Sequence, residues 1–153
     1  MPLRVVIRPA AESDFEWCVR LMAGNDPWKR YGCSEEWCRR VLDWRGGALY
    51  IADRERAAGF LLLHKSGFLG SPYIAGVAVA EEFRCVGIGS ALIEFAEREF
   101  YGARHAFLCV ASFNERARRL YERLGYMKAG ELKDFMAEGT SELLMYKRLD
   151  QRR

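Results

Sequence analysis

Several common devices are missing from this sequence of 153 residues. No CxxC pair occurs among the five cysteines Cys18, Cys33, Cys38, Cys85 and Cys109, and neither His64 nor His105 stands at zinc-ligand spacing from one of them. That argues against a disulfide framework and against a metal site, and it predicts a reducing, cytoplasmic setting. No apolar stretch approaches the ~20 residues that a membrane-spanning helix needs. The opening MPLRVVIRPAAESDF breaks its short apolar run with Arg4, Arg8 and Pro9, unlike a signal peptide. Charge of one sign is also scarce: 24 Lys and Arg against 21 Asp and Glu leave a net +3. A dedicated nucleic-acid-binding domain is normally far more basic. Internal repeats and low-complexity segments are absent. Secreted, membrane, fibrous and nucleic-acid-binding classes are therefore not expected.

What is present suits a globular chain, with 50% hydrophobic and 29% charged residues. A chain of this length buries roughly two-thirds of its unfolded surface and needs no covalent staple. Alternation over Leu3 to Arg8 predicts a first strand, ended by Pro9. Ser13 or Asp14 can cap a helix to about Ala23, and Gly24-Asn25-Asp26-Pro27 breaks it. Ser34 can cap a second helix to about Asp43. Ala48–Ala52 and Ala57–His64 read as strands around a polar turn, followed by a loop from Lys65 to Pro72. Tyr73–Val79 is small and apolar, as in a strand buried on both faces. The period then changes. A helix over about Gly87–Phe100, a strand over Ala106–Val110 and a basic helix over Asn114–Leu124 follow, with Gly125 as the left-handed cap. Tyr126–Leu132 and Glu142–Leu149 close the chain as strands. The predicted order is β-α-α-β-β-β-α-β-α-β-β: a mixed α+β, α/β-like sheet of about seven strands flanked by about four helices on both faces. Residues 1–149 read as a single domain, with 150–153 as a short tail.

The turn from Val77 into the third long helix carries the most chemistry. A helix start offers N–H groups without internal partners and a partial positive charge. Gly87 and Gly89 let an anion approach the main chain, and Arg84 adds a full charge, so the turn suits a phosphate or pyrophosphate. The Walker pattern is absent, and the dinucleotide pattern GxGxxG fails at Leu92. Taken alone, a GxG before a helix is as readily a turn that relieves crowding. Downstream, Asn114 is a good N-cap, and Tyr121 lies about two helical turns later on roughly the same face. By itself Tyr121 reads as a core aromatic.

RxxGxG at 84–89 together with NxxAxxLYxxLGY at 114–126 resembles the GNAT superfamily of N-acetyltransferases, as does the element order. The resemblance implies acetyl-CoA as co-substrate, with its pyrophosphate on the main-chain N–H groups of Cys85, Val86, Gly87, Ile88, Gly89 and Ser90 and with Arg84 leading the motif. It implies that the strand carrying Val77, Ala78 and Val79 splays from its parallel neighbour and holds the pantetheine arm and thioester. Asn114 would contact the cofactor, and Tyr121 would sit beside the sulfur as the catalytic hydroxyl. The implied reaction is transfer of acetyl to a primary amine of a small molecule or peptide by direct attack on the thioester, with fixed N–H donors stabilising the oxyanion. A non-catalytic acyl-CoA-binding or regulatory module on the same fold is the alternative. Homodimers are common among similar folds, so a homodimer is a possible assembly by that analogy, and the sequence does not fix the oligomeric state.

The general base is not legible from the motif. In ribosomal-protein N-terminal acetyltransferases a glutamate five residues before the motif asparagine serves, and here that position is Cys109, which reads as a small hydrophobe. Tyr73, His64, Glu81 and Glu82 are weak alternatives. On the acceptor side, Trp17, Trp28, Tyr31, Trp37 and Trp44 read first as packing and second as an aromatic pocket, with Asp26 placed to attract an ammonium group. Glu131 and Asp134 are lesser candidates. Arg116, Arg118 and Arg119 read as a solvated helix face that can also help hold an anionic cofactor.

Overall fold

The structure, a computed structural model, describes residues 4–149. Leu3 of the expected first strand and the expected tail at 150–153 lie outside them. The order is β1 (Val6–Pro9), α1 (Phe15–Ala23), α2 (Trp28–Tyr31), α3 (Glu35–Leu42), β2 (Gly47–Arg54), β3 (Arg56–Phe68), β4 (Ser71–Val79), α4 (Ile88–Glu99), β5 (His105–Ala111), α5 (Glu115–Arg123), β6 (Met127–Lys133) and β7 (Ser141–Arg148). The strands form one seven-stranded sheet in the order β1-β2-β3-β4-β5-β7-β6. Only β4 and β5 run parallel, as the intervening helix α4 requires. The five helices include one more than the sequence suggests. That helix, α2, is a single turn between Pro27 and left-handed Gly32, too short to show a period.

Each sheet face has its own core. Ile88, Leu92, Ile93 and Ala96 of α4 and Tyr121 of α5 pack on Leu61, Leu63, Ile74, Leu108 and Val110. Cys18, Val19 and Met22 of α1 and Cys38 and Leu42 of α3 pack on Ile51, Phe60, Leu62 and Ala78 on the other face. Ser34 caps α3 as expected, its hydroxyl accepting from the Trp37 N–H at 3.1 Å. Asp14 does not cap α1. Its carboxylate accepts from the Arg8 guanidinium at 2.7 Å and from the Ala11 N–H at 2.7 Å. The Arg8 hydrogen bond, above all, holds it below the usual carboxylate range, against a smaller desolvation cost.

Three strand expectations need correction. Pro9 belongs to β1, where an edge position spares its missing N–H. The expected loop at 65–72 is mostly strand: β3 continues to Phe68 and turns through Leu69 and Gly70, both at positive φ (50° and 78°), into β4. That geometry matches the twist of a two-residue hairpin. The strand buried on both faces is β3, where Ala58 through Leu63 are all buried. In β4 buried residues alternate with half-buried ones over Ile74–Val79. The cause lies beside β4, where the sheet is split.

Candidate active site

Parallel pairing of β4 with β5 is confined to Tyr73 opposite Phe107 and Ile74 opposite Leu108. At the next residue β4 carries a bulge. Its antiparallel partner jumps from Leu63 opposite Ile74 to Leu62 opposite Gly76, which leaves Ala75 as the extra residue. A bulge bends its strand and sharpens the twist. Placed immediately after the last parallel pair, it turns Gly76–Val79 away from β5. On the β3 side, the Ala80 N–H donates to the Ala58 carbonyl at 2.8 Å. Antiparallel alternation then aims the Ala78 main chain at β3 and the main-chain groups of Val77 and Val79 into the gap. The gap is thus lined by amide groups with no strand partner there.

A cavity of about 800 Å³ opens on the α4–α5 side of this gap. Val77, Ala78, Val79, Arg84, Cys85, Gly87, Ile88, Gly89, Ser90, Asn114 and Tyr121 all line it, and of the sequence-derived site residues only Val86 does not. Val86 is 38% exposed, on the outside of the turn. The two glycines serve different ends. Gly87, the N-cap of α4, holds φ at 90°, which side-chain-bearing residues rarely adopt. A Cβ on Gly89 would lie 3.1 Å from Leu120, so this glycine lets α5 close on α4. Cys85 takes a left-handed φ of 64°. Two consecutive N–H-presenting turns thus precede the helix start, where Ile88, Gly89 and Ser90 have no acceptor inside the helix.

Cations surround the turn. Lys29, Arg84, Arg116 and Arg123 line the cavity against the carboxylates of Asp26 and Glu81. Arg84 folds back to the Val79 carbonyl at 3.4 Å and contacts the Asn25 side chain, which ties the loop before α2 to the phosphate-type turn. Of the arginine cluster, only Arg116 faces the cavity. Arg118 pairs with Glu122 and Arg119 with Glu115 along the solvated face. Asn114 caps α5, its side-chain oxygen accepting from the Ala117 N–H at 3.3 Å. Tyr121 is 9% exposed, and burial pushes its hydroxyl up to about 12. It stays protonated near neutrality and is a donor, not a base.

A second cavity, of about 110 Å³, lies across the gap under α2. Asp26, Val77, Asn114, Ala117 and Tyr121 line both cavities, so the two meet at the split. Three neighbouring strands place Tyr73, Cys109 and Glu142 on its wall. The Tyr31 hydroxyl donates to the Glu142 carboxylate at 2.9 Å. Tyr31 is itself held by an edge-to-face contact with Phe113, whose ring also carries the Arg30 guanidinium. Burial raises the Glu142 carboxyl above the ordinary range, and the Tyr31 hydrogen bond opposes the rise. Burial also raises Cys109, which keeps it a neutral thiol as its sequence context suggested. Tyr73 is raised by burial first and then by Cys109 beside it.

Other candidates fall away from this site. Both His64 ring nitrogens are engaged, with Nδ1 accepting from the Ser66 N–H at 3.1 Å and Nε2 lying 3.3 Å from the Arg45 carbonyl. Glu82 pairs with Arg56 at 3.4 Å. Asp134 accepts from the Gly139 N–H at 2.8 Å, which closes the β6–β7 loop, and Glu131 is exposed. Trp17 and Trp37 pack into the core beneath α1 and α3, and Trp44 stacks on His64. Trp28 does both: it joins that core and lines the smaller cavity. Sequence reading missed Glu142 and Lys29. The signal for Glu142 was available in part: alternation along β7 places it on the face opposite buried Leu143 and Met145.

The sequence model of the Acetyltransferase (GNAT) family matches residues 10–126. The chain belongs to the GNAT family. Among curated relatives, a protein from Sulfurisphaera tokodaii named N-alpha-acetyltransferase is 34% identical over 76 residues, 48% of this chain and 46% of that protein. A protein of the same name from Sulfolobus acidocaldarius is 29% identical over 114 residues, covering 65% and 68% respectively. The matched segments thus span from about half to about two-thirds of the relatives' length. Arabidopsis thaliana NAA60 in complex with acetyl-CoA superposes with a TM-score of 0.78 over 96% of this chain and 99% of that one, at 21% identity. That likeness is one of fold, and it extends the GNAT architecture over nearly all of the chain.

Proposed function

We propose that this protein is an acetyl-CoA-dependent N-acetyltransferase and that its acceptor is the α-amine of a peptide. The observation that carries the reading is the junction of the two cavities at the β4–β5 split, with Tyr121 between them. The larger cavity fits coenzyme A by its chemistry: main-chain N–H groups at Cys85 and Gly87–Ser90 and the cations Lys29, Arg84, Arg116 and Arg123 suit a pyrophosphate. The edges of Val77 and Val79 suit the amides of a pantetheine arm. When bound, acetyl-CoA supplies an activated acetyl thioester. The Val77 and Val79 N–H groups would stabilise charge on its carbonyl oxygen. The Tyr121 hydroxyl would give a proton to the departing sulfur. The smaller cavity is shaped for the tip of a substrate, and Asp26 and Glu142 on its wall favour a cation. The names of the archaeal relatives favour a peptide α-amine over other primary amines. All five cysteines are free thiols, which suits the reducing cytoplasm.

The meeting of the two cavities at shared wall residues, Tyr121 among them, favours catalysis over a purely acyl-CoA-binding role. The decisive measurement is CoA thiol release with peptides bearing a free α-amine, the same peptides N-terminally blocked, and a panel of small amines. Release with the free peptides and none with the blocked ones is expected. No release with any amine would overturn the reading. Tyr121→Phe should lower kcat about 100-fold, within the usual range for a lost acid catalyst, and leave the acetyl-CoA Kd unchanged.

A further inference from the structure

The base missing at Cys109 has a substitute on the neighbouring strand of the same wall. We propose that Glu142 accepts the proton of the incoming ammonium group and that Tyr31 positions its carboxylate. This role rests on the acetyltransferase reading above. Glu142 is the second residue of β7, opposite Ala111 of β5 and beside the strand segment that has lost its β4 partner. Its carboxylate lines the smaller cavity together with Tyr73, Cys109 and Tyr121, on the acceptor side of the split. Tyr31 reaches it from the one-turn helix α2 at 2.9 Å. That hydrogen bond occupies Oε2 and leaves the other oxygen's orientation fixed, as a base needs.

The groups facing Glu142 account for its titration. From α2 comes the neutral Tyr31 hydroxyl, from β4 Tyr73, and from β5 Cys109. The loop before α2 brings Asp26 to the same cavity, and β6 sets Leu132 opposite. No cation lines this cavity among the described residues, so nothing nearby offsets desolvation except the Tyr31 donor. A carboxyl raised in this way is a better proton acceptor near neutrality than an ordinary one. In the reaction, one N–H proton leaves the ammonium nitrogen for Glu142, and the freed lone pair forms the N–C bond. The Tyr121 hydroxyl relays a second N–H proton to sulfur as the C–S bond breaks and its electron pair goes to sulfur. Glu142 then returns its proton to solvent. Ammonium and thioester give amide, thiol and one solvated proton.

Glu142→Gln should lower kcat/KM for a peptide amine about 100-fold at pH 7, as removal of a general base does, and should abolish the acidic limb of the pH profile. Amines already neutral at pH 7 should lose much less. Tyr31→Phe tests positioning through a different readout. Loss of the donor raises the Glu142 carboxyl further, so the acidic limb moves to higher pH, whereas a purely structural defect lowers the rate equally at every pH. The same upward move should appear without turnover, in a carbon-13 NMR titration of the Glu142 carboxyl in the free protein. If the wild type releases CoA and Glu142→Gln keeps its rate and its limb, the role is overturned and the acetyltransferase reading stands. If the wild type acetylates nothing, both fall. Should Glu142→Gln not fold, the NMR titration decides: a carboxyl at the ordinary glutamate value, unmoved by Tyr31→Phe, overturns the role.

Discussion

Glu97 illustrates how one residue departs from its sequence appearance. It sits on a helix rich in charge, yet it is 6% exposed, with its carboxylate 2.8 Å from the Lys147 ammonium and accepting from the Tyr126 hydroxyl at 3.2 Å. The pair clamps the last turn of α4 to β7. Removing one member of a buried pair leaves the other charge uncompensated, so Glu97→Ala should cost about 3 kcal/mol, read as a shift of the urea midpoint at constant slope. Nothing in the periodicity of α4 marks this residue, because helical spacing identifies a face and not the partner that a distant strand brings to it. The places of Arg84, Asn114 and Tyr121 on the larger cavity's wall were legible for the opposite reason. Those places attach to local features, a turn and a helix cap, that neighbours in the chain specify. Glu142 falls between: its inward direction follows from strand alternation, but Tyr31 is 111 positions away in the chain.

At the scale of the element, the loop into α4 is where local sequence does most. Arg84 through Gly89 build a turn with left-handed residues at Cys85 and Gly87. Gly87→Ala forces a Cβ into that conformation at a cost of about 1–2 kcal/mol. The expected outcome is a lower melting temperature together with at least tenfold weaker acetyl-CoA binding by calorimetry, since the N–H groups must tilt to relieve the strain. Weakened stability with unchanged affinity would show that the turn does not hold the cofactor. Strand β4 is the counter-example. Its small apolar sequence suggested burial on both faces, yet one side borders a cavity. The bulge at Ala75 that creates the opening has no residue signature of its own; it depends on how β3 and β4 register.

For the whole molecule, the split sheet separates a cationic cavity beside α4 and α5 from an acidic, aromatic one under α2. Ligand that binds only the folded state stabilises it by mass action. Acetyl-CoA at about 100 times its Kd should add about 2.7 kcal/mol and raise the melting temperature by roughly 5–10 °C, less at high salt as phosphate contacts are screened. A melting curve that ignores acetyl-CoA would remove the cofactor assignment. The sequence by itself determined the alternation of strands and helices, the glycine-bearing turn into α4 and the capped helix with its tyrosine, because hydrophobic period, glycine placement and capping act within a few residues. The tertiary structure decided where the sheet opens, which strand main-chain groups and cations face the opening, and that a glutamate and a tyrosine from opposite ends of the chain meet there. Register and burial couple residues far apart in the chain, and no local pattern encodes the distance between them.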